Sequence, residues 1–108
     1  MTSFDDRERA FESKFAHDAE MQFKAEARRN KLLGLWTAEK MGLTGDAADS
    51  YAKEVVAADF EEAGDEDVYR KVSGDLSAKA IDVAETEIRE KMVALMAEAK
   101  AQLFTEAD

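Results

Sequence analysis

Apolar residues recur at three- and four-residue steps through four stretches of this chain, the spacing of helices with one buried face. The first stretch, residues 4–36, has no proline and a single glycine, Gly34. Its stripe begins sparse and aromatic, with Phe4, Phe11 and Phe15, and becomes dense at Leu32, Leu33, Leu35 and Trp36. It predicts one helix from about Phe4 to Met41. Ser3 and Asp6 fit a capping box at its start, and Gly42 suits a left-handed C-terminal cap with Leu43 as its hydrophobic contact. Thr44 then caps a second helix, from about Asp46 to Glu62, whose face is Ala48, Tyr51, Ala52, Val55 and Val56. The acidic run 59–67 breaks the pattern; Gly64 can end the second helix there, and Asp65 can cap a third, Glu66 to Lys79. That helix carries Val68, Val72 and Leu76, with Tyr69 beside them, and Gly74 weakens it by about 1 kcal/mol relative to alanine. Asp82 and Glu85 offer a capping box to a fourth helix ending near Phe104, with the stripe Ile88, Met92, Leu95, Met96, Ala99 and Leu103.

Four helices joined by short turns, each with one apolar face, predict an all-α four-helix bundle. The aromatic N-terminal part of the first helix has too few apolar residues to anchor it. Residues 1–19 therefore read as a helical arm free to flex, and residues 20–108 as a single bundle domain.

Composition narrows the function. The 108 residues contain no cysteine, which removes disulfides, thiolate metal sites and thiol nucleophiles. No run approaches the ~18 apolar residues of a membrane span, and the N-terminus lacks a signal-peptide core, so a cytoplasmic protein without direct membrane insertion is expected. The net charge of −10 is unevenly spread: residues 1–43 carry eight acids and eight bases, whereas 44–90 carry fourteen acids and five bases. So acidic a body repels phosphate backbones, which disfavours nucleic acid. The balanced first third is where docking onto another protein meets least repulsion.

Candidate chemistry is thin. His17, the one histidine, shares a face with Glu20, but the carboxylate-bridged metal bundles need Glu-x-x-His, twice. It reads as a polar surface residue or a pH-titrating contact to a partner. Asp59, Glu61 and Gly64 echo a calcium loop, yet Ala63 takes a ligand position and Arg70 falls where the bidentate glutamate belongs. Lys24, Arg28, Arg29 and Lys31 form the only basic cluster. Lys24, Arg28 and Arg29 are candidate contacts for an anion or, weakly, ATP or ADP, although no glycine-rich loop accompanies them. The plainer reading is a surface cluster paired with Glu20, Glu26 or the acidic body. No metal, cofactor or catalytic residue is expected. Phe4, Phe11 and Phe15 lie within about 40° on a helical wheel, as bundle-packing residues or as the buried anchors of a helix-in-groove contact.

Several runs carry a family resemblance. Phe4-Asp5-Asp6-Arg7-Glu8-Arg9, Lys14-Phe15-Ala16-His17-Asp18-Ala19-Glu20, Phe23-Lys24-Ala25-Glu26-Ala27-Arg28-Arg29-Asn30 and Leu32-Leu33-Gly34 resemble the zeta-subunit inhibitor family of alphaproteobacterial F-type ATP synthases. Asp59-Phe60-Glu61-Glu62, Gly64-Asp65-Glu66-Asp67-Val68 and Ile88-Arg89 with Lys91-Met92-Val93 extend it over nearly the whole chain; residues 77–87 fit less well. The resemblance implies a non-catalytic regulator, monomeric when free and peripherally associated with the ATP synthase. Its arm would enter a catalytic α/β interface of the F1 head and block ATP hydrolysis. Phe4, Phe11 and Phe15 would be the apolar anchors, with Arg7, Arg9 and Lys14 the charge partners by physical type. Asp5, Asp6, Glu8, His17 and Asp18 belong to the same segment. The competing classes are a helical module that senses ATP or ADP and a purely structural adaptor.

Overall fold

The structure, a computed structural model, describes the backbone of residues 3–59 and 65–106 and the side chains of residues 20–59 and 65–105. Four helices follow one another: α1 (Ser3–Lys40), α2 (Gly45–Ala58), α3 (Glu66–Ala78) and α4 (Glu85–Glu106). They form the four-helix bundle that the periodicity predicts.

Helix α1 organises the rest. Its 38 residues correspond to about 57 Å at 1.5 Å per residue. It packs along α2 on one side and α4 on the other and also touches α3, whereas α2 and α4 do not meet among the described residues. Arg28 pairs with Gln102 and Lys40 with Glu87, so α1 and α4 run antiparallel. Tyr51 with Asp75 and Glu54 with Lys71 set α2 antiparallel to α3.

The turn after α1 follows from two backbone needs. Gly42 adopts φ +77°, which lets the Leu43 amide donate to the Ala38 carbonyl and the Gly42 amide to the Glu39 carbonyl, at 2.9 and 3.1 Å. This paired closure satisfies the last carbonyls of the helix, and Leu43 packs on the core as its hydrophobic contact. The same closure ends α3 with Ala80 in the left-handed position, φ 58°. There Ile81 donates to Leu76 and Ala80 to Ser77, both at 2.9 Å.

The helix starts differ from expectation in detail. Thr44 and Asp65 occupy the N-cap positions of α2 and α3, but neither side chain bonds a helix amide; the Asp65 carboxylate instead accepts from Arg29. The expected capping box at Asp82 does not form: Ile81 and Val83 dock on the core, and α4 begins only at Glu85, with the Ala84 carbonyl accepting from the Ile88 amide. Helix α2 ends at Ala58, short of the expected Glu62; Glu62 and Gly64 lie outside the described residues, as does the side chain of Ser3.

The stripes of α2, α3 and α4 face inward for the most part, with Ala48, Val56 and Met96 of the expected faces only half-buried. Tyr51, Ala52, Val55, Val68, Val72, Leu76, Ile88, Met92, Leu95, Ala99 and Leu103 are buried. Helix α1 departs from its reading. Of its dense run only Leu33 is fully buried, while Ala25, Arg29, Asn30, Thr37 and Ala38 share the interior with it. Gly34 faces α2 at close range: a Cβ there would stand 2.6 Å from the Ala52 Cα. Glycine is required at that position because the two backbones approach within the space a methyl group needs.

Candidate functional site

The arm residues Phe4, Asp5, Asp6, Arg7, Glu8, Arg9, Phe11, Lys14, Phe15, His17 and Asp18 lie on α1, and their side chains fall outside the described residues. Glu61, Ala63 and Gly64 of the calcium-loop echo are likewise outside. Among the described residues no group of three or more histidines, cysteines or carboxylates could hold a metal ion. No described helix is long and apolar enough to cross a membrane.

The basic cluster is divided by the fold, and the surface reading of Arg29 is corrected. Arg29 is 2% exposed. Its Nη2 donates to Asp65 Oδ1 at 2.8 Å and its Nε to Asn30 Oδ1 at 2.6 Å. Burial of a guanidinium is tolerable only with such partners, so Arg29 serves as a link from α1 to the start of α3. The neighbouring charges crowd the same place. Burial first, then Glu26 and Asp65, push the Asp59 carboxyl above its usual range, against the opposing pull of Arg29 and Asn30. Asn30 is itself fully buried, and its Nδ2 makes no hydrogen bond of good geometry among the described residues.

Lys24, Arg28 and Lys31 stay together on the opposite, outer face of α1. Lys24 lies 3.1 Å from Glu20, and Arg28 Nη1 donates to Gln102 Oε1 at 2.9 Å. With Phe23 they line a groove of about 530 Å³, walled by Val56 of α2 and Leu103 of α4. A second groove of 420 Å³ shares Lys31 and Val56 with it and adds Asp49, Ala52 and Lys53. Phe23 is 57% exposed, an unusual setting for phenylalanine. Sequence reasoning passed over Phe23 and Lys53 as parts of this surface. The three- and four-residue steps from Lys24 to Arg28 to Lys31 were visible, but the α2 and α4 residues that wall the groove become neighbours only in the fold.

Away from this face the ion pairs are structural. Arg89 stacks on Tyr69 at 3.9 Å and holds Glu66 at 3.0 Å, and its hydrogen bond and charge keep the Glu66 carboxyl below the usual range. Burial and the Asp75 carboxylate push the Tyr51 phenol well above its ordinary value, so it donates to Asp75 Oδ2 as a neutral hydroxyl.

The fold thus defines a small all-α bundle built round one long helix. The family described as ATPase inhibitor subunit zeta matches residues 1–102, and the chain belongs to that family. A solved structure described as the solution NMR structure of a protein is similar to it, with 65% identity over 80% of this chain and 98% of that one, and a TM-score of 0.71. No curated protein matches.

Proposed function

We propose that the protein is an inhibitor of the F-type ATP synthase that acts through its N-terminal arm. Residues 1–19 insert into a catalytic α/β interface of the F1 head, and the bundle from residue 20 onward stays outside. The observation that carries this reading is that the family match spans arm and bundle together, residues 1–102. The architecture supports it: one continuous helix, Ser3–Lys40, carries the arm into the bundle.

A helix lodged where the interface must open and close makes rotation cost its displacement. Rotation that expels the wedge proceeds, and rotation that tightens it stops, so hydrolysis is blocked and synthesis is spared. Phe4, Phe11 and Phe15 supply the apolar anchors, and Asp5, Asp6, Arg7, Glu8, Arg9, Lys14, His17 and Asp18 the polar contacts. The protein itself carries out no chemistry. It works as a monomer at the cytoplasmic, membrane-peripheral F1 head.

Nucleotide contact through Lys24, Arg28 and Arg29 has less support, because Arg29 is occupied by Asp65 and the sequence holds no glycine-rich loop to cradle phosphates.

The test is ATP hydrolysis and ATP synthesis by the cognate enzyme, with the full chain and with a chain lacking residues 1–19. The expected result is inhibition of hydrolysis alone, lost on deletion while the far-UV signal of the bundle persists. Equal slowing of synthesis would refute the one-way wedge, and inhibition by the deleted chain would refute the arm.

A further inference from the structure

We infer that the outer face of α1, between α2 and α4, is a second docking surface, and that its occupant is a carboxylate-bearing helical segment on the F1 head. The inference rests on the inhibitor reading above and adds to it the place where the bundle itself is held.

The first support is charge. In a chain of net charge −10, Lys24, Arg28 and Lys31 follow one another along about 10 Å of a single helix face. Lys53 of α2 stands beside the adjoining groove. Lys31 and Lys53 have no ion-pair partner among the described residues. The acids nearby are Glu20, which pairs with Lys24, and Asp49, which lines the groove with Lys53. A protein whose bulk repels acidic surfaces has here one strip that attracts them.

The second support is shape. The two grooves share Lys31 and Val56 and so run on into one another. The first lies on α1 between Val56 of α2 and Leu103 of α4, and the second continues from Lys31 along α2. A groove that is walled by two helices at one end and continues along α2 accepts a further helix in the manner of helix-in-groove recognition. Phe23 offers an apolar contact at the end nearest the arm, with Val56 and Leu103 within the channel. A mixed strip of cations and apolar side chains suits an amphipathic helix that bears carboxylates. A nucleotide would need backbone amides to cradle its phosphates, and helix-interior residues such as Lys24 to Lys31 have none to spare.

The third support is continuity. The strip lies on the same helix as residues 3–19, so an F1 head that holds the arm brings this face close to its own outer surface.

The experiment measures the affinity of the labelled full-length chain for the isolated F1 head by fluorescence anisotropy, at low and high salt. It compares the natural chain, Lys31→Glu/Lys53→Glu, and a control of equal net charge, Lys79→Glu/Lys91→Glu. The expected result is a Kd raised about tenfold by the first pair at low salt, with the gap closing as salt screens the contact, and a change under about twofold for the control. Equal effects of both pairs would overturn the surface and leave only general charge steering. An unchanged Kd for Lys31→Glu/Lys53→Glu, with the natural chain still inhibiting, would overturn the surface and leave the arm reading intact. If the natural chain fails to bind F1 at all, both readings fall. ATP or ADP binding that Lys31→Glu/Lys53→Glu abolishes, with F1 affinity unchanged, would assign the face to a phosphate ligand and overturn the proposal.

Discussion

The contact between α1 and α2 at Gly34 yields the sharpest stability prediction. Building a methyl group at Gly34 places it 2.6 Å from the Ala52 Cα, 3.1 Å from the Ala52 Cβ and 3.3 Å from Val55 Cγ2. Carbon atoms prefer separations of about 3.5–4.0 Å, so the backbone contact falls short by roughly an ångström. The Ala52 Cα cannot turn aside as a long side chain could; the helices must separate or tilt. Leu33 and Val55 beside the contact are wholly buried, and moving α2 outward loosens them too. Overpacking of this kind costs about 1–3 kcal/mol, at the upper end where backbone is struck. The better helix propensity of alanine returns up to about 1 kcal/mol. Gly34→Ala should therefore lose about 2 kcal/mol, a fall in Tm of about 8 °C at roughly 4 °C per kcal/mol. Gly74 is the internal control, since a Cβ there meets nothing within 4 Å. Gly74→Ala should gain about 0.4–1 kcal/mol. Thermal and urea unfolding followed by far-UV circular dichroism measure both. If Gly34→Ala proved as stable as the natural chain, the close crossing of α1 and α2 would be refuted.

The Arg29–Asp65 link and the acid-crowded end of α2 give two more. Asp65→Ala leaves a buried guanidinium without its carboxylate and should cost about 2–3 kcal/mol, whereas Arg29→Met, which removes the charge and fills much of the volume, should cost less; urea midpoints that put Arg29→Met lower would contradict this. Asp59 has a folded-state pKa above its usual value, so its protonated form is favoured by folding, and its charge opposes stability once pH rises above the folded pKa. Asp59→Asn should accordingly raise Tm at neutral pH, with an advantage that shrinks as pH falls through the raised pKa towards the ordinary carboxylate value; an advantage independent of pH would show that the charge is not the cause.

The helices at the edge of the bundle were legible because each is buried from one side. Val68, Val72 and Leu76 recur every four residues and all three are buried, and Ile88, Met92, Leu95, Ala99 and Leu103, at steps of three and four, are buried along α4. Gly42 with Leu43 was legible because only glycine takes that left-handed turn at no steric cost. Helix α1 was harder to read because α2, α3 and α4 all pack on it. A helix covered from several sides needs no single stripe, and where neighbours approach closely the interior favours small residues. Ala25, Gly34 and Ala38 thus become core residues, while Leu32, Leu35 and Trp36 sit half-buried at its margin. Arg29 and Asn30 carried no sign of burial, since a basic residue beside other basic residues reads as surface until the distant Asp65 is placed against it. For the site, the charge stripe on α1 could be read, but its walls come from residues 56 and 103, which no local pattern joins to Lys24.

Under the arm reading proposed above, these placements let α1 serve two purposes. Along most of its buried length the helix is held by apolar contacts, which resist separation but tolerate small slides along the axis. Near the N-terminal end of that length the contacts change kind: Arg28 reaches Gln102 of α4, and Arg29, beside it, reaches Asp65 at the start of α3. Hydrogen bonds of this sort are directional and weaken steeply when misaligned, so they fix the rotation and register of α1 where apolar packing alone would leave both loose. A load applied to such an arm travels along the helix and meets these two cross-links just after Ala25 and before Leu33 and the larger core residues. The burial of Arg29, costly as a contribution to stability, is thus intelligible as a lock on the register of α1, about ten residues beyond the segment proposed above to engage the rotary enzyme.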